Sequence, residues 1–411
     1  MSNVKIIVVQ LEQSGPNWVS QKLNLNKSTS LDLPIPLLKQ TSNPWQSQEY
    51  DTAHLWNPSD PSINSWGCAL TSAAMILQYY GIYTIPGTNF TPLNPGTLNN
   101  WLKSQPDGYV GTGWVNWLAI SRLSKLATNE HIVSSFDALE YQRIGGANTL
   151  QLTSDINNNI PDILEEPGHF IVGKGISGST FDINDPYYNR TTLNNGYGNS
   201  FLSLGRYIPS HTDLSYIMLT ANTGVSLTIQ DHLGNTVGSS FIQSPLTDPL
   251  NPSKTNTPIK IYYHPKPESG TYTITASGTT SPFSFTLYLY DTQGNPKIQT
   301  LSGFGTAIYQ INLNKTNSSN STITKQVTFA SVIQDIKNAQ NLHLINSGLA
   351  IALLSILTQA QQQSIKHPEI AKTILAGGIK LLNDSNNHQV LISPETYTIL
   401  LTDFSTLLNS L

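Results

Sequence analysis

Apolar and polar positions alternate in three successive textures along the 411-residue chain. Over 35–208 helix and strand periods are mixed. A 3.6-residue period predicts a helix over 69–80, with Leu70, Ala73, Ala74, Leu77 and Tyr80 on or near one buried stripe and Gly81 as terminator. A second helical segment is predicted over 95–103, and strand-like runs at 170–174 and 181–184. Over 216–313 the runs become short and alternating, broken by Gly, Pro, Asn and Asp, as in an antiparallel β-sandwich. An internal echo fits this: Leu227-Thr-Ile-Gln-Asp-His-Leu-Gly-Asn235 and Leu287-Tyr-Leu-Tyr-Asp-Thr-Gln-Gly-Asn295 share an apolar alternation and a closing Asp-x-x-Gly-Asn turn. Beyond the polar stretch 314–324 the period is helical again, with stripes at 332–339, 349–357, 370–382 and 397–408. Polar turns are expected at His367-Pro368 and 383–388, and Ser393-Pro394-Glu395 supplies an N-cap, a proline at the first helical position and an acid near the dipole. Four such helices read as a small bundle.

The chain is therefore expected to be multidomain α+β. Residues 1–34 form an N-terminal extension, 35–210 a mixed α+β domain, 211–314 a β-sandwich, 315–326 a linker and 327–411 a helical bundle.

Charge narrows the function classes. Charged residues make up 11% of the chain against a usual figure of about 25%, and Asn, Ser, Thr, Gln and Gly take their place. With 21 basic and 25 acidic residues the net charge is -4, and no Lys/Arg cluster offers a footprint for nucleic acid or an anionic membrane. The run Ile6-Ile7-Val8-Val9 is too short for a secretory signal, and the apolar run over 349–357 falls far below the ~20 residues of a membrane span, so neither is expected. One carboxylate in each Asp-x-x-Gly-Asn turn is too few oxygens for calcium, and no metal or cofactor is expected.

The chain has a single cysteine, Cys68, so no intrachain disulfide and no multi-cysteine zinc site can form. It lies in Asn64-Ser-Trp-Gly-Cys-Ala-Leu-Thr-Ser-Ala-Ala-Met75, where the predicted helix begins and Gly67 relieves the turn before it. At a helix N-terminus a thiolate faces unsatisfied N–H groups and the positive end of the dipole, a placement suited to attack on a carbonyl. His169 opens the run Phe170-Ile-Val-Gly-Lys174, and a turn at Ser177-Gly-Ser-Thr180 leads to a second run ending Ile183-Asn-Asp-Pro186. Antiparallel pairing of these runs sets His169 beside Asp185, as a base and the group that orients it.

Taken together these segments resemble the cysteine peptidase family thirty-nine and its family-39-like relatives, papain-like peptidases known from bacteriocin leader processing. The likeness rests on Pro36-Leu-Leu-Lys-Gln40 with Trp45, Trp66-Gly-Cys-Ala-Leu-Thr-Ser-Ala-Ala-Met75 with Tyr79-Tyr-Gly81, Pro95-Gly-Thr-Leu-Asn-Asn-Trp-Leu102, and Gly168-His-Phe-Ile-Val172 with Asn184-Asp-Pro186. It covers roughly 35–208 and implies a papain-like fold with a Cys68, His169 and Asp185 triad. It also implies an upstream glutamine donating to the oxyanion: Gln40, with Gln46 and Gln48 as competitors. Two departures are the Ala69 that follows the thiol, where the family commonly has Gly, and a longer gap between glutamine and cysteine. No transporter spans accompany the domain, which argues against leader processing. The stretch 335–354 resembles, more weakly, the FIMAH helical module found at the ends of bacterial extracellular enzymes.

The expected function is a cysteine peptidase acting on peptide or protein substrates. A secreted or cell-surface location in a bacterium is expected, with cell-wall or surface contact through the C-terminal domains. One competing reading is a non-enzymatic surface protein on a peptidase-like fold, which would have no need to keep all three triad residues. Another is an NlpC/P60-type peptidoglycan endopeptidase, disfavoured by Asn184-Asp-Pro186 at the end of the second strand.

Overall fold

A computed structural model describes residues 31–211, 213–278, 282–387 and 391–411. The run Ile6-Ile7-Val8-Val9 and most of the expected N-terminal extension lie outside these residues. The structure is mixed α/β, with several antiparallel sheets and about 10 helices. No described helix is long and apolar enough to cross a membrane.

The first sheet has six strands. Leu31–Asp32, His169–Ser177, Asp162–Glu166, Ser203–Ser210 and Ala138–Gly145 lie in that order, and Thr180–Asn184 pairs with His169–Ser177. The sheet thus begins at Leu31, inside the stretch expected to be an extension. The two runs predicted around 170–184 form the expected hairpin, in which Val172 faces Asn184 and Ser177 faces Thr180.

Against this sheet packs the helix Cys68–Tyr79, with the Ser72 hydroxyl donating to the Phe170 carbonyl at 3.4 Å. The one-stripe expectation is too modest, because every residue from Cys68 to Leu77 is buried. Small residues such as Ala69, Ser72, Ala73 and Ala74 let neighbours approach on all sides, as in a helix covered all round. Helix Pro95–Ser104 starts in a capping box between Asn94 and Thr97, with proline in its first turn.

Two further sheets follow. One holds Val225–Gln230, Gly270–Gly278, Thr306–Leu313 and Thr322–Gln326; the other holds Ser239–Gln243, Ile259–Pro265, Tyr216–Ala221, Phe283–Tyr290 and Pro296–Gly303. Ile229, Ile274 and Ile311 of the first share an apolar cluster with Ile217, Leu219 and Leu287 of the second. The repeated Asp-x-x-Gly-Asn segments are two copies of one turn: Asp231 Oδ1 accepts from the Leu233 and Asn235 N–H groups, and Asp291 Oδ1 accepts from those of Gln293 and Asn295.

The central strand of the five-stranded sheet is buried on both faces. Along Tyr216–Ala221 all six residues are buried, and alternate residues Tyr216 and Met218 join the core of the first region together with Ile259, Ile261, Tyr263, Tyr288 and Tyr290. A continuous apolar run suits such a strand.

The stretch expected as a linker is structured. Ser318–Asn320 is one turn of 3-10 helix, and Thr322–Gln326 pairs with Thr306–Leu313. Its Thr and Ile residues serve a sheet edge, where one polar face is tolerated, so low apolar content misleads there. Helices Phe329–Asn341, Ser347–Ser364, Pro368–Asn386 and Pro394–Ser410 follow, sharing one apolar cluster that also takes in Phe304. Ser393 caps the last of them by accepting from the Thr396 N–H. The turn expected from residue 383 starts later, since the helix runs on to Asn386.

Candidate active site

Cys68 is the first residue of its helix and follows the short helix Ile63–Trp66 through Gly67. A Cβ on Gly67 would strike the Ile63 carbonyl, so only glycine lets one helix turn directly into the next. The Cys68 N–H, being in the first turn, has no acceptor within the helix.

His169 opens its strand and holds Asp185 through Nε2, 2.9 Å from Oδ1. The Cys68 side chain is near enough to act on the ring as well. Burial of the imidazole lowers its pKa, but the hydrogen bonds and charges of Asp185 and Cys68 outweigh this and raise it to about 9. All three side chains are sheltered, with Cys68 4%, His169 7% and Asp185 1% exposed.

Asp185 is held from several sides. Its Oδ1 also accepts from the Tyr187 and Tyr188 N–H groups at 2.9 Å each, and Oδ2 accepts from the Tyr197 hydroxyl at 2.6 Å. Burial pushes the carboxyl pKa up, but the bonds from His169, Tyr197 and Tyr187 hold it below the usual carboxylate value. The nearby Asp182 sits instead between Asp32 and Lys174, opposite Gly175.

Gln40 is fully buried and belongs to a segment that braces both halves of this centre. Its N–H donates to the Pro186 carbonyl at 2.9 Å, and the adjacent Lys39 ammonium reaches the carbonyls of Asp185 and Tyr188. Its side-chain Nε2 donates to the Asn64 carbonyl at 2.6 Å and more weakly to that of Ile63 at 3.4 Å, in the turn before the thiol. Gln46 bonds Asn43 at the surface, and the Gln48 amide packs near Gly96.

Residues 33–209 match the Peptidase_C39 like family. This family suggests a hydrolase of the cysteine peptidase kind. A solved chain from Bacillus anthracis assigned to the C39-like peptidases is similar at 15% identity, over 44% of this chain and 98% of that one, with a TM-score of 0.27. No curated protein matches the chain.

Several partners of the C39-like region's centre escape a reading of motifs. The Tyr187 and Tyr188 N–H donors were legible in principle, since an Asp before a turn commonly accepts from the N–H two residues on. Tyr197 and Lys39 come from separate loops and carry no such signal. Arg190 lies 4.2 Å over the Tyr188 ring and 4.6 Å over that of Tyr197, bracing the same loop.

A short ribbon from the β region also reaches this centre. It consists of Thr247–Asp248 paired with Asn251–Thr255. The Thr247 N–H donates to the Gly168 carbonyl at 3.0 Å, one residue before His169. Gly168 has a φ of +74° and lies so close to the Thr247 side chain that a Cβ would clash. On the ribbon's other strand the Lys254 ammonium bonds Asn57 at 3.2 Å and also Ser59, in the loop that leads to helix Ile63–Trp66.

Proposed function

We propose that the chain is a thiol peptidase in which Cys68 is the nucleophile, His169 the acid and base, Asp185 the group that orients the ring, and Gln40 an oxyanion donor. The observation that carries this reading is the single buried imidazole that bonds Asp185 and lies within the influence of the Cys68 thiol. A ring held protonated at neutral pH beside sulfur favours a thiolate and imidazolium pair. Sulfur attacks the peptide carbonyl carbon, and the oxygen takes up the negative charge. As the C–N bond breaks, His169 gives its proton to the departing amine, leaving an acyl thioester. Water, deprotonated by His169, then releases the acid. The Cys68 N–H and the second Gln40 amide hydrogen, only weakly engaged with Ile63, are the donors offered to the oxyanion.

In this reading the C39-like region carries the chemistry, and the β-sheets and helices that follow are accessory domains. Export to a bacterial exterior, with those domains touching the cell surface, accords with the charge-poor composition.

The test is hydrolysis of a peptide library by the full chain. Cys68→Ala should abolish turnover in a folded protein. Asp185→Asn should lower kcat more than it raises KM, by less than the roughly 10⁴-fold seen in serine triads, because a thiol triad starts nearer the ion pair. Asp182→Asn should change little. Activity should fall as pH rises past about 9, where the imidazolium is lost. Turnover that survives Cys68→Ala sinks the proposal.

A further inference from the structure

Glu166 ends the strand Asp162–Glu166 and is the direct cross-strand partner of His169, joined to it by the tight turn Pro167-Gly168. Directly opposed residues of an antiparallel pair share one face of the sheet, with Cβ atoms ~4.5–5.5 Å apart. The Glu166 side chain therefore stands beside the imidazole, on the face where His169 meets Cys68. It is only 3% exposed, and among the described residues its Oε1 has no hydrogen-bond partner.

The adjacent carboxylate shows what a satisfied one looks like here. Glu165 receives Arg143 at 3.2 Å, Gln243 at 2.6 Å and the Ser203 hydroxyl. Glu166 has nothing comparable, although Arg190 is near enough to act on it by charge. That guanidinium is engaged over the rings of Tyr188 and Tyr197. A carboxyl oxygen buried without a partner is costly, and a donor brought by a bound molecule relieves that cost.

We propose that Glu166 forms the acidic end of a substrate subsite that takes a Lys or Arg side chain within one or two residues of the scissile bond. The proposal rests on the thiol-peptidase reading. The distance follows from reach: an extended peptide advances ~3.3 Å per residue, so a carboxyl one cross-strand step from His169 meets a side chain that close to the reacting carbonyl.

The groups acting on Glu166 give the subsite a pH signature. Burial raises its pKa, the His169 charge lowers it, Asp185 raises it, Arg190 lowers it and Glu165 raises it, leaving it at about 8. A cationic side chain must displace that proton, so preference for basic peptides should strengthen as pH rises from 6 toward 8. His169 serves every substrate, and its own titration cancels in a ratio of basic to neutral isosteres.

The experiment uses the full chain with matched peptides carrying arginine or its neutral isostere citrulline at each position around the cleaved bond. At one position wild-type protein should prefer arginine in kcat/KM by about tenfold or more at pH 8, as charge-assisted pairing allows, and by less at pH 6. Glu166→Gln should bring that ratio to within about twofold, and Glu166→Asp should keep part of it. No arginine preference at any position, a preference that does not change with pH, or a ratio that Glu166→Gln leaves intact while both rates fall, would overturn the subsite. If no peptide is cleaved, the peptidase reading fails by itself. The same pairs are then read by binding to Cys68→Ala protein, where an arginine preference removed by adding Glu166→Gln supports the subsite and equal binding overturns it.

Discussion

The β region meets the rest of the chain at two junctions made of different material. Toward the C39-like region the contact is a shared apolar core, in which Tyr216, Met218, Tyr263, Tyr288 and Tyr290 lie in one cluster with Trp114, Trp117 and Tyr141. The aromatic hydroxyls find partners as they cross: Tyr216 donates to the Tyr141 carbonyl at 2.6 Å, while Tyr290 donates to Asp107 and accepts from Asn116. Toward the helices the contact holds a buried charge cluster, in which Lys325 of the last strand bonds Asp403 and lies 3.5 Å from Asp335, and Phe304 of the β region joins the helices' apolar cluster. An aromatic core binds much the same at every pH near neutrality. Two carboxyls sharing one ammonium do not.

The strongest test of this contrast is truncation. A chain ending at residue 211 should fail to fold, since it leaves one side of the aromatic core open, whereas a chain ending at 327 should stay folded and keep its thiol reactivity. Circular dichroism and alkylation of Cys68 would decide, and a soluble, cooperative 1–211 fragment would show that the shared core is an interface between independent domains.

A smaller but sharper effect is expected from single aromatic changes. Tyr290→Ala should cost about 3–5 kcal/mol, the range for a buried aromatic. In urea it should destabilise the C39-like region, while Phe304→Ala should weaken only the helices. Equal shifts of one common transition would erase the distinction between the junctions.

Next comes pH. Burial, the first cause for both acids, and their mutual charge raise the pKa of Asp335 to about 8, while Asp403 is raised chiefly by its own burial. An acid whose pKa is raised on folding contributes its stability in full below the unfolded value near 4, and loses it as pH rises through 8. Helix melting followed by circular dichroism should therefore fall in temperature between pH 5 and pH 8. Lys325→Met should cost about 1–3 kcal/mol at pH 8 and less at pH 5, because protonated carboxyls no longer need the ammonium.

The mildest change is Lys254→Met at the ribbon. Its stability cost should stay within about 1 kcal/mol, as for an exposed polar link, so a lower kcat at unchanged melting temperature would point to positioning of the loop before Cys68.

The two junctions also differ in how far the sequence discloses them. The helix N-terminus at Cys68, the His169 to Asp185 hairpin and the Asp-x-x-Gly-Asn turns are local, encoded in spacing and turn chemistry within a few residues. The double burial of Tyr216–Ala221 is not, because a continuous apolar run tells how many faces are covered and not by what. The strand Thr322–Gln326 was hidden for a different reason: its composition is that of a loop, and only its partner Thr306–Leu313 makes it a strand. Glu166 was invisible because its meaning comes from a register that pairs it with His169. Tyr197 was invisible because a loop brings it to Asp185 across 12 positions.

The aromatic junction has a consequence in time. A ribosome releases the chain from its N-terminus, so all of Cys68, His169 and Asp185 emerge before Tyr288 and Tyr290, which complete the apolar core that Cys68 shares. At about 5–20 residues per second, the interval between residue 211 and residue 290 lasts on the order of 10 s. During it the nascent chain bears every group of the centre on an unfinished scaffold. A centre assembled in this order is born latent, and ribosome-bound chains stalled before and after residue 290 should differ in how fast iodoacetamide labels Cys68.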